Sequence, residues 1–377
     1  MGKLIMVLYI LLFGLLITNL LFKRNKVSFL FTILFMWIIM TFIHSNADEG
    51  TYISRYMSPE YWTSNTELLF NFLIMICRKM ELSFVEFKGI ISFIELFLIS
   101  TTIWKLSKYP NVVLMLYFFC PFPLNVSQIR FALASSIFVY SCKYLIIDSG
   151  KMNKILNLKK LFTINDIKFI FIIIIASLIH SASILWLLLL IPKKVNIRTS
   201  ACFSIVFAIF ILLIFNPHSI NWLLNKLGAA GRMNAYFSVA YQQSEFRHFG
   251  TALIVVTLIG FLTIFTCELL RKAKDVEDNR PIIEIEKYNI IFLSMLAFII
   301  RYTSEMYRPQ EAIMILNYIV ISNAIPKQYF LKFKTKRRIF FVQTLLFGTV
   351  VICMFFKILL YNYQTVWSPM FMNNYLV

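Results

Sequence analysis

The sequence predicts an all-α, polytopic integral membrane protein built as a single transmembrane domain over residues 1–377. Hydrophobic residues make up 59% of the chain and charged residues only 15%, whereas a soluble domain carries roughly 25% charged residues. Apolar runs follow one another from end to end and predict about 10–12 transmembrane helices, some of them short or re-entrant. The basic residues collect between these runs, as the positive-inside rule describes. They lie mainly at 23–26, 151–160, 271–274 and 327–338.

Charge and cysteine content exclude two classes of site. The net charge of +19 would suit a nucleic-acid-binding protein, but the chain has no detached basic domain that could hold a duplex. The lipid bilayer is therefore the expected partner, and nucleic acid is not. The six cysteines stand singly in apolar runs, and none has the spacing of a metal ligand. We expect neither a metal site nor a cofactor.

The helices are predicted in chain order from the apolar runs. The first, 3–22, precedes a basic run and no small-residue cleavage site, which indicates a retained helix rather than a signal peptide. The run at 110–125 ends at Pro121 and Pro123, because proline removes a backbone donor and restricts the preceding residue. The other predicted helices lie at 27–44, 89–107, 128–147, 168–191, 200–215, 250–270, 288–304, 309–325 and 339–361.

The basic runs also predict which segments face outward. With 23–26 and 271–287 on the cytoplasmic side, two main outer loops result, at 45–66 and 216–249. The C-terminal tail falls on the same outer side. We therefore expect the polar residues of these loops to gather at the outer face of the membrane.

If every apolar run in the middle of the chain crossed the membrane once, the lysine-rich loop 148–166 would lie outside, against the positive-inside rule. Two changes keep this loop cytoplasmic: 67–80 lies in the outer face without crossing, and 168–191 forms two short arms that enter and return, with His180 near the tip. Irregular backbone at membrane depth is tolerated only inside protein or beside a wet cavity. The alternative is that 168–191 forms one ordinary helix, since its length would also span the bilayer.

A dense polar stretch from Ser45 to Glu67 follows the second helix. Asp48, Tyr52 and Tyr56 stand four residues apart, so a helix would place all three on one face. One interpretation is a solvated loop with interfacial aromatic residues. The other is part of a site for a polyhydroxylated substrate, in which carboxylates meet hydroxyl groups and tyrosines meet sugar faces.

Ionisable residues inside apolar runs are costly and need a partner or a purpose. Arg130 begins a helix with Gln128 beside it and no acid within one turn. It is either a snorkelling arginine or an anion clamp, because a guanidinium grips phosphate oxygens at two points. His180 lies in an apolar run among serines and is either structural or a donor to phosphate.

A third polar cluster lies between two late helices. Arg308 has acids three residues before and after it, so pairing within a helix would explain it as well as a functional role does. The chain has no GxSxG elbow, no phosphate-binding glycine loop and no HExxH motif. The members of this cluster are Arg301, Tyr302, Glu305, Tyr307, Arg308, Gln310 and Glu311.

Several polar motifs follow one another in a fixed order along most of the chain. They are Asp48-x-x-x-Tyr52-x-x-x-Tyr56, then Glu67, the S-Q-I-R-F-A-L-A of 127–134, the A-S-L-I-H-S-A-S of 176–183, the G-R-M-N-A-Y-F of 231–237, and Arg308. This set resembles the EpsG family of bacterial polysaccharide polymerases, which includes Wzy-type polymerases for O-antigen, capsule and exopolysaccharide. Phe131 departs from the family, which commonly has glutamine there, and Gln128 is its candidate replacement. Leu68 stands where a proline is frequent.

The resemblance implies a metal-independent glycosyltransferase of the bacterial plasma membrane. Its substrates would be oligosaccharide repeat units on undecaprenyl pyrophosphate, joined on the outer face, with a chain-length regulator and a flippase as further candidate partners. Arginines and a histidine would stabilise the departing pyrophosphate without metal, and a carboxylate would take the proton of the acceptor hydroxyl. The implied catalytic residues are Asp48, Glu67 and His180, and the substrate-binding residues are Tyr52, Tyr56, Gln128, Arg130, Arg232 and Arg308.

Two other functions remain open from the sequence. A flippase or transporter for the same lipid-linked sugars would bind the headgroup without making a bond, although such proteins usually show repeat symmetry, which is not visible here. A membrane acyltransferase modifying polysaccharide would also use a membrane histidine. An ion channel fits least, because no filter sequence is present.

Overall fold

The computed structural model confirms an all-α membrane protein. Throughout the described part of the chain the secondary structure is helical and no strand is present. Among the residues that the structure describes, three helical segments, 84–106, 129–146 and 336–356, are long and apolar enough to cross a membrane. The second predicted outer loop, 216–249, and its Arg232 lie outside the described residues. The described residues are 2–62, 67–147, 163–214, 257–271, 285–294, 297, 308–324, 333–372, 374 and 375.

The helices follow the predicted apolar runs with shifts of a few residues at most ends. The first half comprises α1 (Gly2–Leu21), α2 (Lys26–Phe42), α3 (Glu49–Met57), α4 (Leu68–Lys79), α5 (Phe84–Leu106), α6 (Pro110–Phe119), α7 (Phe122–Ser127) and α8 (Ile129–Ile147). The second half comprises α9 (Ile164–Ile179), α10 (Leu190–Lys194), α11 (Ile197–Ile214), α12 (257–271), α13 (Ile285–Ser294), α14 (Arg308–Asn323), α15 (Phe333–Cys353) and α16 (Ser368–Phe371). The described part of the chain also contains two 3-10 helices, Pro59–Trp62 and Ser181–Leu189, and two π-helices, Met354–Tyr361 and Tyr363–Trp367.

The helices that support the site form a row in which α8 packs against α5 and α9, and α5 packs against α2. Gly89 permits the close approach of α2 to α5, since a Cβ there would lie 3.2 Å from Thr41 Cγ2. The Trp37 indole donates a hydrogen bond to the Gly89 carbonyl across this contact, at 2.9 Å. The row is therefore fixed by both packing and hydrogen bonding.

The predicted proline break is confirmed. The helix α6 ends at Phe119, the short helix α7 carries Pro123, and α8 begins only at Ile129. Because the chain changes direction here, Gln128 and Arg130 stand at a helix start rather than inside a continuous span.

The chain forms two arms around His180, as predicted, and their path through the bilayer stays a prediction. The helix α9 ends at His180, whose extended backbone (φ −142°, ψ 109°) turns the chain into the returning 3-10 helix. At the base, Lys193 Nζ lies 2.5 Å from Asp166 Oδ1, and Lys194 bonds the other oxygen of Asp166. With 16 residues, α9 rises about 24 Å, less than the roughly 30 Å of a hydrocarbon core. We call 164–194 the hairpin.

Replacing Asp166 by asparagine is expected to open the base of the hairpin. Burial raises the pKa of Asp166, but hydrogen bonds from Lys193 and Lys194 outweigh burial and hold the pKa at about 2. Removing one partner of a buried ion pair costs about 3–5 kcal/mol, so the unfolding temperature of purified protein in detergent should fall. The wild-type contribution is complete above about pH 4 and is lost as pH falls towards 2.

The matched control for this variant is the double substitution Asp166→Leu with Lys193→Met. Apolar replacement of both partners is tolerated better than removal of one, so the double variant should lose less stability than Asp166→Asn. An Asp166→Asn protein as stable as wild type, with the same pH dependence, would contradict the assigned role of the ion pair.

Candidate functional site

The polar stretch after the second helix folds as the amphipathic helix α3. Asp48 is its N-cap residue, and the buried face carries Glu49, Tyr52, Arg55 and Tyr56. Their spacing of three and four residues puts them on one side of the helix, as predicted for the two tyrosines. This face of the helix packs into the protein. The interpretation of the stretch as a solvated loop is therefore wrong for these residues.

Glu67 is the centre of a charged cluster beneath α3. Its Oε2 accepts hydrogen bonds from Arg55 Nη1, at 2.8 Å, and from Arg130 Nη1. Its Oε1 lies 3.9 Å from His180 Nδ1. Only 2% of Glu67 is exposed. We call Arg55, Glu67, Arg130 and His180 the Glu67 cluster.

Three separate structural elements bring the Glu67 cluster together. Glu67 is the N-cap residue of α4, Arg130 stands in the first turn of α8, and His180 is at the tip of the hairpin. The helix α4 packs against α9, which places the start of α4 beside that tip. Arg130, which follows the predicted proline break, and His180, at the tip of the hairpin, therefore both lie beside Glu67.

Aromatic rings support both the arginine and the histidine of the cluster. The guanidinium of Arg130 lies over the Tyr52 ring, 5.5 Å from its centroid, and the Arg130 backbone N–H is 3.5 Å from the Tyr52 hydroxyl oxygen. The Phe131 ring meets the His180 ring edge to face, with centroids 5.6 Å apart. Phe131, which departs from the expected glutamine, therefore contributes packing instead of an amide. The side-chain Oε1 of nearby Gln128 is buried and accepts no hydrogen bond within the described part of the chain.

Asp48 and Glu67 differ in their electrostatic surroundings. Burial raises the pKa of Asp48, and the positive charges of Arg308 and Arg130 offset only part of that rise. Burial also acts to raise the pKa of Glu67, but Arg130 and Arg55 outweigh it and hold the pKa below its ordinary value. These opposite directions favour Asp48 over Glu67 as a proton acceptor and favour the ionised form of Glu67 beside the two arginines.

Arg308 joins the site from the start of α14. Its charge acts on Asp48 and on His180, so the late arginine lies close to residues that come more than a hundred positions earlier in the chain. The sequence left its pairing with neighbouring acids open, and one of those acids, Glu305, lies outside the described residues. Arg130 and Arg308 are two cationic groups whose charges both act on Asp48. Among the described residues no three His, Cys, Asp or Glu side chains come together to hold a metal ion.

Tyr56 is not brought to the Glu67 cluster. Its hydroxyl donates to the Leu82 carbonyl at 2.5 Å, and its ring packs against Phe84 and Phe87. Tyr56 lies on the same face of α3 as Tyr52 but one turn further along the helix. There it fixes α3 to the start of α5. The structure gives Tyr56 a packing role, and its contact with substrate stays a prediction.

Arg55 and Lys88 belong to the site region although no site prediction included them. Arg55 is buried and follows Tyr52 by three residues, so the same helical spacing that selected Tyr52 and Tyr56 could have found it. Lys88 is 1% exposed and its Nζ lies 2.9 Å from Glu49 Oε1. This pair fixes the first turn of α3, directly after Asp48. Lys88 was harder to identify from the sequence, because it lies one residue before the predicted helix 89–107.

A comparison with protein families covers the part of the chain that contains these residues. A sequence model of the EpsG family matches residues 26–375. The match contains every candidate residue from Asp48 to Arg308, including the three elements that form the Glu67 cluster. No curated protein matches the chain, and no solved structure does.

Proposed function

The chain belongs to the EpsG family of Wzy-type polysaccharide polymerases, and on this premise we propose that it joins oligosaccharide repeat units carried on undecaprenyl pyrophosphate. The reaction takes place at the outer face of the bacterial plasma membrane and yields a surface polysaccharide. One observation carries the proposal: Arg130, supported by Glu67 and Tyr52, stands beside His180 and Arg308. These groups form a cationic site next to a carboxylate, Asp48.

In the proposed reaction a hydroxyl oxygen of the newly arrived unit attacks the anomeric carbon of the growing chain. The bond between that carbon and the pyrophosphate oxygen breaks, and the undecaprenyl pyrophosphate leaves with the bonding electron pair. Arg130 and Arg308 stabilise the charge on the leaving group, since preorganised donors act where charge develops. His180 adds a hydrogen bond to the same group. In this proposal the two arginines and the histidine, rather than a metal ion, stabilise the negative charge that the leaving pyrophosphate gains.

Asp48 is the proposed general base and accepts the proton of the attacking hydroxyl. Its raised pKa makes it a better proton acceptor than an ordinary aspartate. Glu67 was the other candidate. Its depressed pKa and its bonds to Arg55 and Arg130 favour a structural role for it, in which it holds the Arg130 guanidinium in place.

Deletion of the gene is expected to leave single repeat units capping the lipid carrier or its acceptor, with no polymer ladder. The measurement is a gel of the surface polysaccharide together with analysis of the lipid-linked intermediates. Units would then cross the membrane but never be joined. Repeat units trapped on the inner leaflet would instead indicate a flippase. A ladder of unchanged length that has lost one substituent would indicate an acyltransferase.

A further inference from the structure

An open cleft lies beside the Glu67 cluster, between α4 and the 3-10 helix Pro59–Trp62. Its volume is about 460 Å³, within the range of small-molecule binding clefts. Most of its lining residues are exposed, so the cleft opens to the surface rather than being enclosed. The lining residues are Pro59, Glu60, Asn71, Met75, Arg78 and Lys79.

Asn71 forms a wall between this cleft and the Glu67 cluster. Its side chain lines the cleft, and its Oδ1 accepts a hydrogen bond from Arg55 Nε at 2.8 Å. The same Arg55 binds Glu67. A short chain of contacts, from Asn71 through Arg55 to Glu67, thus connects the cleft with the cluster.

The rim of the cleft carries groups that contribute little to the fold. Arg78 Nη1 and Glu60 Oε2 are 3.7 Å apart, with 42% and 63% of their side chains exposed, and exposed ion pairs of this kind are worth at most about 1 kcal/mol. Tyr61, next to Glu60 in the chain, is 85% exposed. Carboxylate, guanidinium and amide groups bind hydroxyls, and an exposed tyrosine ring offers an apolar face with a polar end.

We propose that this cleft binds a saccharide segment of the growing polymer, next to the sugar that reacts. The inference rests on the proposed polymerase function and adds a place for the glycan outside the charged cluster. An open cleft suits a long chain, because the bound segment can continue into solvent at both ends. Holding the polymer between additions would favour further addition over release, so the cleft would set the length of the product.

The test compares Met75→Trp, which fills the cleft, with Met80→Trp, which adds the same ring at an exposed position beyond it. Arg78→Gln tests the rim with a surface change that spares the fold. The first measurement is the chain-length distribution of the surface polysaccharide. The second is binding of a soluble oligosaccharide, prepared by hydrolysis of the same polymer, to the purified full-length protein by saturation-transfer NMR.

Met75→Trp is expected to weaken oligosaccharide binding at least tenfold and to shift the ladder to shorter chains, and Arg78→Gln to do the same more weakly. Met80→Trp should match wild type. A ladder and an affinity unchanged in both cleft variants would overturn the proposal. The proposal would also be overturned if the cleft variants bound saccharide like wild type but differed from it in their binding to phosphatidylglycerol vesicles. That result would indicate a site for a lipid headgroup. If Arg130→Ala loses polymer but Met75→Trp makes chains of normal length, the saccharide-binding role of the cleft is rejected and the polymerase function stands. Normal polymer in Arg130→Ala would instead reject the polymerase function.

Discussion

Replacing Arg130 by alanine is expected to abolish polymer while the protein remains folded and inserted. The guanidinium is the group best placed to bind the departing pyrophosphate, because Glu67 and the Tyr52 ring hold it from two sides. Removing one preorganised donor to a developing anion typically costs 10²–10³-fold in rate, about 2.7–4 kcal/mol. Glu67 keeps its bond to Arg55 in the variant, so a buried carboxylate is not left without a cation. The polysaccharide ladder and the turnover of lipid-linked units by purified protein measure the effect.

Arg198→Ala is the matched control, since Arg198 is exposed on α11, away from the cluster. It should leave the ladder and the turnover unchanged. Arg130→Lys is informative as well, because an ammonium group cannot bind an anion at two points with fixed geometry. We expect the lysine variant to recover only a small part of the rate. Normal turnover in Arg130→Ala at wild-type protein levels would contradict the role of this residue.

Replacing Asp48 by asparagine is expected to stop bond formation without stopping the binding of lipid-linked donor. Positioned general bases contribute roughly 10²–10⁴-fold, and asparagine removes the proton acceptor while keeping the shape of the side chain. The Asp48 side chain makes no capping hydrogen bond to α3, so α3 should stay formed. Donor binding and turnover, measured on the same purified protein, separate loss of chemistry from loss of affinity.

The pH profile gives an independent check on Asp48. The active form is the carboxylate, so the rate should rise with pH as Asp48 loses its proton. Because burial raises the pKa of this group, the rise should occur above the pH at which an ordinary aspartate titrates, near 3.9. Glu81→Gln, an exposed carboxylate at a surface turn, should leave both the rate and the profile as in wild type. A wild-type rate that stays constant through this range, together with an active Asp48→Asn, would assign the base to another group.

Much of the site could be predicted because membrane segments make polar residues conspicuous. Arg130 and His180 stood in apolar surroundings where an ionisable group needs a reason, and the structure brings both to Glu67. The hairpin was predicted from the placement of basic residues, and in the structure Lys193 and Lys194 close its base on Asp166. Hydropathy and charge thus predicted the positions at which the backbone departs from a regular span.

The parts that the sequence did not predict depend on contacts between distant segments. Arg55 lay in a stretch crowded with charge, where nothing marked it as buried, and its partner Asn71 comes sixteen residues later on another helix. Tyr56 shared the spacing of Tyr52, but the start of α5 packs against it and takes it out of the cluster. Periodicity assigns residues to a face, and only tertiary packing shows what that face meets.

The ion pair at the base of the hairpin also has a consequence for how the chain is inserted during synthesis. Because Asp166 and Lys193 meet, the chain leaves the hairpin on the side from which it entered. On the predicted topology, the segments after the hairpin take their orientation in the membrane from that return. A single substitution that let 164–194 cross once would invert all of them, and with them Arg308. On this topology, the ion pair at the base of the hairpin would preserve the predicted orientation of the helices that follow it.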